Sequence, residues 1–331
     1  MLKQLAVIGS GSWATALVKI FAESGCPVSW HVRDAEQADF IKSNGRNPRY
    51  LSFAELDLEY IMPSTSLKDV VQEAQWVVFA VPASYLSYYI QDLEPEWMAD
   101  KQIAVSIKGF VPGTGLIPGV YLKKMLAPDD AGDVMVLAGP CHAEEIAKGQ
   151  DTYLTIAGSN PEHVHQLAAT IKTPYMHVVE NNDPLGVEYA AICKNIVGIA
   201  SGIANGLHYG DNFQSVLICN AMRETSRLLQ YIDARERDMF DSAYFGDMLV
   251  TAYSDFSRNR TLGKLVGRGM QAGKALEQME MVAEGYQASL EMAALLQQSC
   301  LRLPILHGVY RILHQHANPY HEFKLLEKLL R

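Results

Sequence analysis

Short runs dominated by apolar residues recur along the first half of the chain, and their recurrence constrains the fold more than any other feature. Leu5-Ala6-Val7-Ile8, Val28 to Val32, Trp76 to Val81, Ile103 to Ile107, Val134 to Ala138, Tyr153 to Ala157 and Met176 to Val179 are each bounded by turn residues. A strand with one wetted face alternates apolar and polar residues, whereas a continuous run suits a strand covered on both faces. Helical patterns separate the first runs: Trp13 to Glu23, then a helix to about Ser43 that Asp34 caps, with Gln37 three residues on completing a capping box. The alternation of strand and helix predicts an α/β domain with a Rossmann-like, mainly parallel sheet covered by helices on both sides.

After about Asn182 the β-rich runs stop and apolar residues recur at helical spacing. Asp183-Pro184 reads as a helix start, with Ile192, Ile196, Ile199 and Ile203 on one stripe. Further helices are expected over Phe213 to Tyr231, Asp247 to Tyr253, Ala275 to Glu280, Gly285 to Ser299 and Ile305 to His314. A length of 331 residues suits two domains, so the expectation is an α/β domain over 1–182 and an all-α domain over 183–331.

Acidic side chains outnumber basic ones 37 to 28, and the net charge of −9 argues against nucleic acid or an anionic membrane as partner. An anionic ligand would need a local basic cluster. The most apolar long stretch, Ala190 to Leu207, contains Lys194, Asn195 and Asn205, and no membrane span is expected there. Gly9-Ser10-Gly11 interrupts the apolar run that begins near Met1 before it could act as a signal segment. Five widely spaced cysteines without a Cys-x-x-Cys pair read as reduced thiols of a cytoplasmic protein. His163 with His165, and His314 with His316, read as surface pairs, because no further ligand completes a metal site.

Gly9-Ser10-Gly11-Ser12-Trp13-Ala14 fits the pattern G-x-G-x-x-A between a strand and a helix. In a dinucleotide site Gly9 permits the tight turn, Gly11 admits a pyrophosphate to the backbone, and Ala14 allows close helix–strand packing. The residue that reads the ribose should end the second strand, where Arg33 stands. Arginine favours a 2′-phosphate and hence NADP(H), while the neighbouring Asp34 keeps NAD(H) open.

Lys108 follows a strand at the carboxyl edge where open sheets bind ligands, and Gly139-Pro140-Cys141-His142-Ala143-Glu144 follows another. Lys194-Asn195 interrupts an apolar helix, where a lysine needs a partner or a function. Asp247 and Thr251 are four apart and share a helix face. Ser257-Arg258-Asn259 lies in a polar segment rich in phosphate-type donors, Ser254 to Arg260.

In order and spacing these motifs resemble the bacterial type of the NAD(P)-dependent glycerol-3-phosphate dehydrogenase family. Gly210-Asp211-Asn212, Gly246-Asp247 and Ala283-Glu284-Gly285 add to the likeness, which covers nearly the whole chain. The resemblance implies interconversion of dihydroxyacetone phosphate and sn-glycerol 3-phosphate, usually as reduction that supplies phospholipid synthesis. It implies Lys194 as general acid/base with Lys108 and Asp247 as charged neighbours. Lys108, Gly139, Cys141, Lys194, Asn195, Asp247, Thr251, Ser257, Arg258 and Asn259 match substrate positions. Gly9, Gly11, Ser12, Trp13, Arg33, Lys108, Ala143, Arg258, Val282 and Glu284 match cofactor positions. The sequence departs from the family at Ala14, where Gly is usual, at Cys141, where Ser or Thr is usual, and at Tyr244-Phe245, before Gly246-Asp247.

Hydride addition to a ketone leaves negative charge on oxygen, which a lysine ammonium can stabilise and protonate. Lys108 should lower the pKa of Lys194 and Asp247 should raise it. Two other readings stand beside this one: a dehydrogenase of the β-hydroxyacid or ketopantoate type, which the Ser257-Arg258-Asn259 cluster disfavours, and a catalytically silent NADPH-binding sensor. A homodimer is left open.

Overall fold

A computed structural model describes residues 4–126, 134–279, 282–297 and 299–331. The chain forms two compact units, residues 1–107 with 116–185, and residues 108–115 with 186–331. The sequence expectation was a single break at 182/183, and Lys108–Gly115 departs from it by joining the helical unit. Its apolar residues explain this: Phe110 and Val111 are buried, and the Phe110 ring meets Tyr189 edge-on at 6.1 Å. Asn195 Nδ2 also donates to the Lys108 carbonyl at 2.7 Å.

Among the described residues the first unit holds eight strands: β1 (Leu5–Ile8), β2 (Val28–His31), β3 (Ile61–Ser64), β4 (Trp76–Phe79), β5 (Gln102–Val105), β6 (Met135–Ala138), β7 (Thr152–Ala157) and β8 (Met176–Asn181). They lie in the order β3-β2-β1-β4-β5-β6-β7-β8, and every neighbouring pair is parallel except β6 with β7. Residues of β1, β4 and β6 are buried throughout, as unbroken apolar runs require, and β2 is buried with Ser29 and His31 in it; β8, at the far edge of the sheet, is mostly exposed, so the covering on both faces expected of its run does not hold there. The sequence reading missed β3, whose residues alternate in burial and include Pro63. Proline lacks the ladder N–H and is tolerated here because β3 is an edge strand.

Asp34 caps the helix Ala35–Asn44 by accepting from Gln37 N at 2.8 Å. The reciprocal half of the expected capping box is absent, because the Gln37 side chain donates to Ser10 O and Asn47 Oδ1 instead. His163 also departs from the surface position expected of it. Residues two apart on a helix point to opposite sides, so His165 is exposed beside Glu180 while the His163 ring packs edge-on against buried Trp76. His314 is half-buried as well, its Nε2 2.9 Å from Ser289 Oγ.

The second unit consists of helices Pro184–Gly206, Asp211–Ile232, Asp247–Tyr253, Arg258–Gly267, Ala272–Glu277, Glu284–Leu296, Pro304–His314 and Pro319–Leu326, with a π-turn over Ser242–Gly246. Of the expected helical spans, the end at Glu280 and the position of Gln298 lie outside the described residues, as do Met1 to Lys3 at the start of the first apolar run. Pro184–Gly206 is long and apolar enough to cross a bilayer, yet its apolar window is wholly buried inside the protein.

That helix packs backbone to backbone against Arg258–Gly267, a helix that the sequence reading did not expect and that begins inside the donor-rich segment Ser254 to Arg260. A Cβ on Gly202 would lie 2.1 Å from the Arg260 carbonyl oxygen, and one on Gly263 would lie 2.1 Å from that of Ile199. Gly206 and Gly267 are equally confined. Glycines spaced by four on each helix therefore bring Lys194 and Asn195 onto the same packed pair of helices as Ser257 and Asn259.

Candidate active site

In the first unit the site grows from the end of β1. The sheet order reverses between β1 and β4, the switch point at which open α/β sheets take ligands. Gly9 turns the chain there with φ +124°, and a Cβ on it would sit 2.3 Å from the Ala80 carbonyl oxygen just past β4. A side chain is thus barred by conformation and by space. Gly11 precedes the helix Ser12–Glu23, and a Cβ there would meet nothing within 4 Å. No side chain caps that helix start, so open space and uncapped N–H groups together suit the pyrophosphate of a dinucleotide.

Neighbouring groups hold this turn in place. Trp30 Nε1 donates to Gly9 O at 2.6 Å, and Trp13 Nε1 donates to Ser106 Oγ at 2.7 Å, which in turn donates to Leu137 O. Asn47, fully buried, donates through Nδ2 to Ser10 O at 3.2 Å and Thr15 Oγ1 at 2.8 Å. Sequence reasoning missed Ser106 and Asn47, since a serine ending a strand and an asparagine in a polar loop carry no periodic signal.

Ser12 and Ala143 are buried at helix starts, and Arg33 is exposed at the end of β2. Gly139, with φ +121°, lies where a Cβ would come 2.9 Å from Tyr153 O. The Cys141 thiol donates to that same carbonyl at 3.1 Å. A hydroxyl at 141 would have the same partner within reach, so the Cys departure changes a contact to the sheet.

In the second unit, Lys194 and Asp247 come together from positions far apart in sequence. Lys194 Nζ donates to Asp247 Oδ1, and Lys108 Nζ stands 3.8 Å from Asp247 Oδ2. Asp247 is 1% exposed and Lys194 6%, and Oδ2 accepts no hydrogen bond among the described residues. Burial is the largest influence on Lys194 and pulls its pKa down, to about 8; Asp247 pulls it back up and Lys108 pushes it further down. The π-turn before Asp247 fits a chain that must aim one carboxylate inward, since such turns gather at functional sites.

Asn259 Oδ1 accepts from Gly285 N at 2.9 Å, and a Cβ on Gly285 would lie 2.6 Å from the Asn195 carbonyl oxygen. The Ala283-Glu284-Gly285 motif thus seats a helix start against Asn195 and Asn259. Thr251 shares the buried face of Asp247 as expected, but its hydroxyl donates back to Asp247 O at 2.8 Å. Ser257 Oγ accepts from Arg260 N as a helix cap. Arg258, the first residue of that helix, is exposed and makes no hydrogen bond or ion pair with a described residue. Val282 is exposed, and Glu284 begins the next helix.

A sheet unit with a dinucleotide-type glycine turn and a helical unit that buries a lysine on a carboxylate together define the class of nicotinamide-dependent dehydrogenases. Comparison with known proteins narrows the class. Models of the NAD-dependent glycerol-3-phosphate dehydrogenase N-terminus and C-terminus match residues 4–164 and 183–324. A glycerol-3-phosphate dehydrogenase [NAD(P)+] of Xanthomonas campestris is 32% identical over 317 residues, 96% of this chain and 92% of the relative. One from Clostridium botulinum is 31% identical over 96% of this chain and 95% of the relative. The crystal structure of a glycerol-3-phosphate dehydrogenase from Coxiella burnetii superposes with a TM-score of 0.91 at 27% identity, covering 98% of each chain. The chain belongs to the NAD-dependent glycerol-3-phosphate dehydrogenase family.

Proposed function

We propose that this chain catalyses the reversible NAD(P)H-dependent reduction of dihydroxyacetone phosphate to sn-glycerol 3-phosphate, a precursor for phospholipid synthesis. The observation that carries the chemistry is the buried Lys194 bonded to Asp247, with Lys108 beside them. When bound, a reduced nicotinamide supplies hydride. Lys194 Nζ holds the proton that the substrate oxygen needs as it gains negative charge. Asp247 orients the amine, and Lys108 adds positive charge that eases proton release.

Arg258 anchors the substrate phosphate, because its guanidinium is exposed and can bind an anion bidentately. Asn259 offers its Nδ2 donors, whereas Asn195 has spent one on the Lys108 carbonyl and serves first to position Lys108. Gly9, Gly11, Ser12 and Trp13 hold the dinucleotide. Arg33, at the ribose-reading position of β2, supports use of NADPH at least as well as NADH. The acidic charge balance supports a small-molecule partner over nucleic acid, the widely spaced cysteines support a reducing cytoplasm, and sedimentation tests whether the enzyme works as a homodimer.

The test follows absorbance at the reduced-nicotinamide band with dihydroxyacetone phosphate, using NADPH and NADH in turn. Oxidation that depends on the phosphorylated ketone is expected. Turnover of unphosphorylated keto acids instead, or cofactor binding without turnover of any ketone, would overturn the proposal.

A further inference from the structure

The loop after the helix Ala35–Asn44 connects the two ends of the dinucleotide region. Gly45 ends that helix with φ +62°, and Asn47 then turns inward to grip the glycine turn through Ser10 O and Thr15 Oγ1. The same amide fixes the loop itself, since Asn47 Oδ1 accepts from Gln37 Nε2 at 2.9 Å and from Arg49 N at 3.1 Å. Arg49 is thereby delivered to the end of β2, where its Nη2 donates to Asp34 Oδ2 at 2.7 Å. Asp34 Oδ1 is already occupied as the helix cap.

Both oxygens of the only acid at the ribose-reading position therefore have donors from the protein. The cap N–H and then Arg49 hold that carboxyl below the usual range, so it stays ionised and tied to Arg49 near neutral pH. Arg33 is not neutralised in this way. It is exposed, lies with Cζ 5.6 Å from the Tyr85 ring centroid, and makes no hydrogen bond or ion pair with a described residue. Arg33 and Asp34 are consecutive after β2, with the Arg33 side chain against Tyr85 and Arg49 on Asp34. The donors on Asp34 weaken it as an acceptor for a ribose diol; a phosphate monoester needs N–H donors and positive charge, and the two arginines supply both.

The geometry points to Arg49 as a specificity-determining residue that, with Arg33, grips the 2′-phosphate of NADPH while keeping Asp34 off the ribose diol. Arg49 spends one N–H on Asp34, and the other arms of its fork serve the phosphate. The inference rests on the proposed NAD(P)H-dependent reading and assigns its cofactor preference to a loop that the sequence reading did not single out.

Binding alone tests it, by calorimetric titration of the full chain with 2′,5′-ADP and 5′-AMP, then with NADPH and NADH. Wild type should bind 2′,5′-ADP more tightly than 5′-AMP. Arg49→Ala should weaken 2′,5′-ADP and NADPH on the order of 10- to 100-fold, the effect of losing a hydrogen bond to a charged group. It should leave 5′-AMP and NADH bound no more weakly than in wild type, since neither carries the phosphate that this arm contacts and the freed Asp34 adds an acceptor for the ribose diol. Asp34→Asn should leave NADH binding unchanged, because the carboxylate does not read the diol. Equal loss for all four ligands would reduce Arg49 to a structural part of the loop and overturn the assignment, as would no loss for any. A wild type that binds both adenosine nucleotides equally would also overturn it, while oxidation of NADH driven by dihydroxyacetone phosphate would leave the reaction itself standing.

Discussion

Lys194 shows how one side chain acquires its chemistry from its surroundings. An ordinary lysine is a poor proton donor near neutral pH because it holds its proton too tightly, and burial loosens that hold. With its pKa lowered to about 8, Lys194 is protonated below that pH and neutral above it. Ketone reduction needs the protonated amine, so kcat for reduction should fall as pH rises through about 8, while alcohol oxidation, which needs the neutral amine, should rise. Lys194→Met keeps the stem and removes the proton. Turnover should then drop by about 10²- to 10⁴-fold from the lost proton transfer, with lost charge stabilisation adding to it. The pH limb near 8 should vanish, and an NADPH titration should change little, since the glycine turn belongs to the other unit. Steady-state profiles of both proteins between pH 6 and 10 check this, and turnover within a few-fold of wild type would move the role to Lys108.

At the level of elements, two helix contacts carry separate expectations. The glycine seam between Pro184–Gly206 and Arg258–Gly267 leaves no room for a methyl group, because the atoms in the way are backbone carbonyls. Gly202→Ala should cost roughly 1–3 kcal/mol or more, as overpacking does, and should lower kcat by spreading the helices that carry Lys194 and Asn259. Gly273→Ala, where a Cβ meets nothing, should be neutral or slightly stabilising. Thermal denaturation of both variants separates seam from helix propensity; equal Tm values would remove the seam argument.

The second contact is Glu224, buried in the helix Asp211–Ile232, which accepts from Ile305 N at 2.8 Å and Leu306 N at 3.2 Å and so caps a neighbouring helix. Desolvation outweighs those donors and raises its pKa from 4.5 to about 7. A carboxyl raised on folding contributes stability that is complete below pH 4.5 and is lost as pH rises through 7. Denaturant titrations from pH 4.5 to 8 should show that loss in wild type and a flatter dependence in Glu224→Gln, which cannot ionise. Parallel slopes would show that Glu224 does not titrate in this range.

Across the whole molecule, the path of the chain matters more than its division into halves. The chain enters the helical unit twice, first for Lys108–Gly115 alone and then from Gly186 onward. The first visit brings Lys108 within reach of Asp247 and buries Phe110 and Val111, with Asn195 holding the Lys108 carbonyl. Residues 186–331 expressed alone therefore lack part of their own core as well as the cation that stands beside Asp247. They should bind a dye that reports exposed apolar surface and should unfold without a sharp transition, whereas the full chain should not. A cooperative melt of the isolated segment would show that 108–115 is dispensable for folding.

Much of the architecture follows from local pattern. Buried strands need runs dominated by apolar residues, so β1, β2 and β4 to β7 were readable; β8 was readable from Met176 to Val179 although most of it is exposed; and the glycine turn was readable because only glycine tolerates the backbone that Gly9 adopts. Lys194 stood out for the same local reason, a charge within an apolar helix, and the family motifs supplied its role. Other features depend on partners distant in the chain, and local pattern could not reveal them. Pro63 disguised β3, whose place at the edge is known only once β2 is paired. The helix Arg258–Gly267 was not expected, because two glycines interrupt its apolar spacing, and those glycines make sense only against Gly202 and Gly206. Asp247 was named as a neighbour of Lys194 only through the family resemblance; local pattern could not pair residues 53 positions apart, and the bond between them exists once the helices pack. Asn47 and Arg49 carry no periodic signal at all, because their hydrogen bonds run to Ser10, Thr15 and Asp34, which only folding brings near. Sequence determined which segments must be strands, turns and helices, since burial and backbone conformation are set residue by residue; the tertiary structure decided which charges meet, since an ion pair between distant residues exists only after the chain has closed on itself.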